Sequence, residues 1–289
     1  MNLKCAPFNL DVTLCCGQVF RWQKKQDWWY GVVQNKILKV RQADLNTELE
    51  YENQDESFLK NYFGLEDDLQ EISAKIGKDT HIRKAIQQFY GLRIIRQDPW
   101  ECLISYICAT YKNIPAINHM LNNLSRKFGQ KATLDETEFY TFPTPKQLAN
   151  ATSQDLTACS LGYRAKYVKE TSKRIFENTF ELNSLKQLPY EQAKTALCTL
   201  PGVGPKVADC ILLFSIGKLE AFPVDRWVER VILNHYAQNI PAELAQKLAK
   251  NESLSDSQYK KLNAFGRQYF GQYAGYAQEY LYHYERLIT

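Results

Sequence analysis

Three side chains in the last third of the chain have the types and spacing for covalent chemistry at carbon: Lys206, Cys210 and Asp225. Lys206 stands in the first turn of a helix predicted over Pro205 to Gly217. The positive end of the helix dipole disfavours its ammonium there, and partial burial would disfavour it further. A lysine in such a place becomes a neutral amine able to attack carbon. Cys210 follows one turn later on the same face, so the two can share one pocket wall, with Val207, Ile211 and Phe214 as the neighbouring apolar stripe. Asp225 follows Phe222-Pro-Val and precedes a helix with apolar positions Val228, Val231 and Ile232. It can partner the lysine, although taken alone it is better explained as a plain N-cap.

The elements that position these residues are read from the punctuation around them. Tyr190 to Thr199 suits a helix, Leu200-Pro-Gly202-Val203-Gly204 a tight hairpin, and Pro205 opens the second helix. Gly202 and Gly204 let the backbone approach an anion closely, and the free amides at the second helix start can hydrogen-bond a phosphate. Such a hairpin holds a DNA backbone without reading bases. The hairpin alone serves equally well as a turn that packs two helices.

Upstream, Phe8, Leu10, Val12 and Leu14 alternate with polar residues, and β-rich runs follow at Val19–Trp22, Trp28–Val33 and Ile37–Val40. These predict an antiparallel sheet. After Glu66-Asp-Asp68 helical spacing takes over, as in Ile82, Ile86, Phe89 and Tyr90. Asp98-Pro99 predicts a helix start with Leu103, Ile104, Ile107 and Cys108 inward. The expected architecture is α+β, with an N-terminal antiparallel β-sheet domain over 1–80 and a helical domain over 81–289.

Composition limits the alternatives. With 289 residues and 45% hydrophobic content, the chain can bury a core without staples. A formal net charge of +4 permits nucleic acid without requiring it. The eight cysteines include no C-x-x-C pair and the four histidines no local H-x-x-x-H pair, so reduced thiols and no metal are expected. The first residues lack a signal-peptide core and no run is long enough to span a bilayer, which predicts an intracellular protein without a membrane partner.

Leu200-Pro-Gly-Val-Gly-Pro-Lys-Val-Ala-Asp-Cys210, followed by Pro223-Val-Asp225, resembles the helix-hairpin-helix signature of the base-excision DNA glycosylases (HhH-GPD). Gly17-Gln-Val-Phe-Arg-Trp22, Gln97-Asp-Pro-Trp-Glu-Cys-Leu103, Leu161-Gly-Tyr-Arg-Ala165 and Tyr273-Ala-Gly-Tyr-Ala-Gln278 extend the resemblance through almost the whole chain to the 8-oxoguanine DNA glycosylases. The resemblance implies a two-subdomain helical fold after the sheet, with Lys206 and Asp225 lining the cleft and the last helix closing one side. It implies Lys206 as nucleophile and Asp225 as its carboxylate partner, in base excision and strand nicking without a cofactor.

The resemblance also distributes binding roles. The carbonyl of Gly17 would accept from the N7–H of 8-oxoguanine, a proton guanine lacks. Gln278 and Tyr282, four apart on the last helix, would bond and stack the flipped base, with Cys210 on the opposite wall. Tyr282 replaces the family's phenylalanine. A Lys206 ammonium beside a Cys210 thiolate could form a dipole that the lesion senses. Tyr163 is the wedge that fills the emptied stack, and Arg164 would reach the orphaned base. The sequence departs from the family at Tyr111 and Ala116, where an asparagine and an arginine commonly hold cytosine, and at Trp227, where a phosphate-binding histidine is usual. Relaxed discrimination of the opposite base follows as an expectation. The partner implied is double-stranded DNA containing 8-oxoguanine, bound by a monomer in the cytoplasm or nucleoid of a prokaryote or in a nucleus. The endonuclease III branch shares the lysine and aspartate, but no cysteine follows Cys210 to build its iron–sulfur cluster. A DNA-binding module that uses only the hairpin would require neither Lys206 nor Asp225. A metabolic enzyme with accidental motifs would be favoured by failure to bind duplex DNA.

Overall fold

The computed structural model describes residues 1–5, 7–42, 48–52, 54–250 and 252–288. The N-terminal part comprises β1 (Asn2–Lys4), α1 (Leu10–Cys15), β2 (Gln23–Lys25), β3 (Trp28–Val33), β4 (Lys36–Gln42) and β5 (Glu48–Glu52). The strands form one antiparallel sheet in the order β1-β5-β4-β3-β2, with Trp29 opposite Val40 and Val40 opposite Tyr51. The predicted antiparallel sheet is therefore present, with β3 and β4 at the runs read from sequence. Two other runs differ. The alternation from Phe8 to Leu14 belongs to helix α1, because Leu10 and Leu14 are four apart and satisfy a helical period as well as a strand period. Asn9 decides it by accepting from the Val12 N–H at 3.0 Å, an N-cap bond. Among the described residues Val19–Trp22 pairs with no strand: Val19 is buried in the sheet core and Phe20 in the helical core, so the alternation reflects two cores rather than two faces.

Helices follow: α2 (Glu56–Tyr62), α3 (Leu69–Ile76), α4 (Thr80–Gln88), α5 (Pro99–Ala109) and α6 (Ile114–Phe128). A hairpin of β6 (Lys131–Leu134) and β7 (Thr137–Tyr140) precedes α7 (Pro145–Asn150), α8 (Ser153–Ala158) and α9 (Arg164–Phe176). The chain closes with α10 (Tyr190–Leu197), α11 (Pro205–Ile211), α12 (Arg226–Tyr236), α13 (Ala242–Ala249), α14 (Asp256–Phe270) and α15 (Ala274–Ile288). Asp98 starts α5 as read, accepting from the amides of Trp100 and Glu101 at 3.0 Å each. The β6–β7 hairpin covers the outer face of β3, where Phe139 stacks on Tyr30 at 5.8 Å. Strand β3 is accordingly buried on both faces, which explains its unbroken apolar run.

One extended core joins α3 to α15, and the sheet has its own core around Phe8, Leu38, Leu49 and Phe63. The helix read over Pro205 to Gly217 is regular only to Ile211, then widens into a π-turn over Leu212–Ile216, and Gly217 at φ 83° ends it. Among the described residues no helix is long and apolar enough to cross a membrane.

Candidate active site

The hairpin before α11 and the loop before α12 bring Lys206 and Asp225 to one cleft. Gly202, at φ 80°, turns the chain where a Cβ would sit 2.8 Å from Tyr167 Cβ, so the turn requires glycine. Gly204 then starts α11 with no side-chain cap, and nothing lies within 4 Å of the position of an added Cβ. Val203 is buried beneath the hairpin. At the second element, Asp225 Oδ1 accepts from the amides of Trp227 at 3.0 Å and Val228 at 2.9 Å. Asp225 is thus an N-cap and a wall of the cleft at once; the two readings of its sequence position do not compete.

The cleft has a cavity volume of about 100 Å³ and is lined by Gly17, Lys206, Cys210, Asp225, Gln278 and Tyr282, among others. Six residues drawn from widely separated parts of the sequence therefore converge. Gly17 sits at φ 106°, a conformation that L side chains rarely adopt, and a Cβ there would press on Arg286 Nη1 at 3.0 Å and Tyr282 Oη at 3.1 Å, so a substitution is strained. The Tyr282 hydroxyl finds its partner in Arg286, whose Nη1 donates at 3.3 Å. Lys206 Nζ lies 5.5 Å from the centre of the Tyr106 ring, a cation–π contact at the pocket floor.

The electrostatics revise one sequence expectation. Burial works to lower the pKa of Lys206, but the facing Cys210 and Asp225 outweigh it and leave the pKa raised. The free site therefore holds the ammonium, and the helix dipole does not by itself produce a neutral amine. Burial raises Asp225 as well, opposed by Lys206 and the two capping amides. Burial also pushes the Cys210 thiol up to about 12, against the pull of Lys206. The direction of that shift disfavours the expected ammonium–thiolate dipole, because enclosure of the cysteine opposes its thiolate.

The remaining predicted residues lie outside this cleft. Tyr163, expected as the wedge, is 58% exposed at the start of α9. Arg164 is buried instead, its Nη2 donating to the Thr110 carbonyl and its guanidinium 4.4 Å from the Tyr163 ring centre. In this conformation it does not reach outward. Tyr111 is 91% exposed at φ 55°, one residue beyond that carbonyl, and the Ala116 amide is occupied by the Asn113 cap. Trp227 is half-buried, with the Arg230 guanidinium 5.1 Å from its ring.

The cleft also contains Tyr106, Lys112 and Glu279, which sequence reasoning missed. A charge beside Gln278, just before Tyr280 and Leu281, was the available signal for Glu279. Among the described residues, His81, His235 and Glu285 place one ligand atom each within 4.8 Å of one another. The two imidazoles, however, stack at 3.5 Å with planes 18° apart. Lone pairs in nearly parallel planes do not converge on one ion, so this arrangement is a ring stack rather than a coordination shell.

Comparison with known proteins places this geometry in a lineage. Residues 1–103 match the model of the 8-oxoguanine DNA glycosylase N-terminal domain, and residues 104–253 that of the HhH-GPD superfamily of base excision DNA repair proteins. The chain is 31% identical to the N-glycosylase/DNA lyase OGG1 of Arabidopsis thaliana, over 98% of this chain and 78% of that one. It is 32% identical to the N-glycosylase/DNA lyase of Saccharomyces cerevisiae, over 93% and 81%. In structure it is similar to the Clostridium acetobutylicum 8-oxoguanine glycosylase/lyase solved with double-stranded DNA containing cytosine opposite 8-oxoG. The TM-score is 0.87 at 35% identity, covering 98% of this chain and 93% of that one.

Proposed function

The chain belongs to the 8-oxoguanine DNA glycosylases of the HhH-GPD superfamily, and from that premise we propose that it excises 8-oxoguanine from duplex DNA and nicks the strand through a lysine Schiff base. The observation that carries this reading is the enclosure of Lys206, Asp225 and Cys210 in one cleft with Gly17, Gln278 and Tyr282.

The DNA backbone rests on the hairpin Gly202-Val203-Gly204 and on Trp227, Tyr163 fills the gap in the stack, and the damaged nucleotide turns into the cleft. Gly17 accepts from N7–H, Gln278 bonds the base, and Tyr282 and Cys210 enclose its faces. Because the free site holds Lys206 as the ammonium, the lysine acts first as an acid. As the bond to C1′ breaks, its electron pair leaves with the base and a Lys206 proton neutralises it. The amine so formed attacks C1′, while the Asp225 carboxylate stabilises the developing oxocarbenium charge. Ring opening yields the Schiff base, and loss of a C2′ proton expels the 3′ phosphate. The protein works as a monomer wherever the cell keeps its DNA, and needs no cofactor for these steps.

The opposite base is held loosely. Tyr111 and Ala116 offer none of the base-edge contacts of an asparagine and an arginine, and Arg164 is turned inward to Thr110. Since each such contact carries roughly 1–3 kcal/mol of discrimination, single-turnover rates opposite the four bases are expected within about tenfold of one another. A strong preference for cytosine in that assay contradicts this part of the reading. For the chemistry itself, Lys206→Gln is expected to lower base release by on the order of 10⁴-fold or more. Retention of near wild-type release would remove Lys206 from the mechanism.

A further inference from the structure

The excision step leaves one carboxyl group of the cleft without a task. Glu279 follows Gln278 on α15, lines the same cleft and is only 2% exposed. Its Oε1 and the Oε1 of Gln278 are both buried with no hydrogen-bond partner among the described residues. Two unsatisfied buried oxygens on adjacent residues of a ligand cleft are groups that await a ligand, because leaving them bare costs free energy.

The neighbours of Glu279 say which part of the ligand it meets. It lies near enough to Cys16 for each to shift the other's titration, Cys16 immediately precedes Gly17, and Gly17 lines the same cleft. On the proposed reading of the cleft, the Gly17 carbonyl meets N7–H, so Glu279 stands at the five-membered-ring edge of the flipped base. That edge of 8-oxoguanine differs from guanine at two atoms: a donor at N7 replaces an acceptor, and a carbonyl at C8 replaces C–H. The Gly17 carbonyl can serve only the first. The second is an acceptor and needs a donor, and Lys206 is committed to C1′.

We propose that Glu279 is a lesion-specificity residue, its carboxyl O–H donating to the C8 carbonyl oxygen of 8-oxoguanine, an atom that guanine lacks. This rests on the assignment of the cleft to the flipped base. The charge state agrees with it: burial raises the Glu279 carboxyl to about 7, with Asp225 adding to the rise and Cys16, Arg286 and Lys206 opposing it. Tyr106 and Tyr282 complete the titratable groups that face it. Once protonated, the carboxyl offers the donor that a carboxylate lacks.

The test measures equilibrium binding of the full chain, in a Lys206→Gln background that prevents turnover, to duplexes carrying 8-oxoguanine or guanine at one site. The lesion-to-guanine affinity ratio is expected to fall about tenfold with Glu279→Ala, one hydrogen bond's worth. With Glu279 intact the ratio should also fall as pH rises from about 6 to about 8.5, because deprotonation removes the donor. Glu279→Gln keeps an N–H but cannot ionise, so its ratio should not change over that range. A Glu279→Ala ratio equal to that of the parent, or a Glu279→Gln ratio with the parent's pH dependence, overturns the proposal. Failure of the parent to prefer the lesion at any pH would instead overturn the assignment of the cleft.

Discussion

Lys206 illustrates how a residue's placement in the cleft can be read from sequence while its electrostatics cannot. Its helix position, its glycine hairpin and its spacing to Cys210 are all local and were legible. The groups that raise its pKa against the local dipole argument are Cys210, one turn along the same helix, and Asp225, carried by another element. Asp225→Asn preserves the size of the cap but removes the charge that the proposed mechanism sets beside C1′, so excision should slow by about 10²- to 10³-fold. Single-turnover base release measures this, and an unchanged rate would reduce Asp225 to its capping role. Tyr282, Gln278 and Gly17 were visible only through the family resemblance, since an aromatic, an amide and a glycine carry little chemical signal alone. Arg164 marks the opposite limit: its position was legible, but its inward hydrogen bond to Thr110 is a tertiary fact with no local signature.

At the scale of elements, the cleft depends on α11 and the loop before α12 being held in register. Asp209, fully buried on α11, accepts from Lys194 Nζ at 2.8 Å, Tyr259 Oη at 2.6 Å and Asn263 Nδ2 at 3.1 Å, and from the Tyr190 hydroxyl. Two of these partners reach the second element: Tyr259 Oη accepts from the Val224 amide at 3.3 Å, and Asn263 Nδ2 donates to the Phe222 carbonyl at 2.9 Å. One buried carboxylate thereby ties α10, α11 and α14 to the segment that delivers Asp225. Asp209→Ala leaves the Lys194 ammonium without its buried partner and should cost about 3–5 kcal/mol in urea unfolding. A loss below about 1 kcal/mol, the scale of an exposed pair, would show that the network is not structural. The caps of α5 and α12 were legible because Asp before a helix has one local use. Helix α1 was misread because its apolar spacing fits both periods, and the π-turn after Ile211 was hidden because its residues are apolar throughout.

The whole molecule sets the conditions under which the cleft exists. His283 on α15 packs against Phe89 at 4.4 Å between ring centres, and burial, reinforced by Arg286, lowers its pKa to about 4. The unfolded chain binds a proton near the ordinary histidine value of about 6.5, so between that pH and about 4 it holds more protons than the folded one. Stability should consequently fall as pH is lowered through that window, and His283→Leu should flatten the fall. Melting temperatures that do not change with pH for the parent would contradict the assignment of a neutral, packed imidazole. The α+β organisation and the order of sheet before helices were legible in composition and periodicity, whereas the strands β1 and β5 were not, being short segments joined only by long-range pairing. On the proposed mechanism, excision needs the sheet-side Gly17, the hairpin, Asp225 and the final helix at once. The most direct test of the account is therefore borohydride trapping of the intact protein on a duplex carrying 8-oxoguanine, beside Lys206→Gln and an unmodified guanine control. The account predicts a covalent protein–DNA adduct for the parent on the lesion alone. No adduct from the parent, despite tight binding to the lesion, would contradict it.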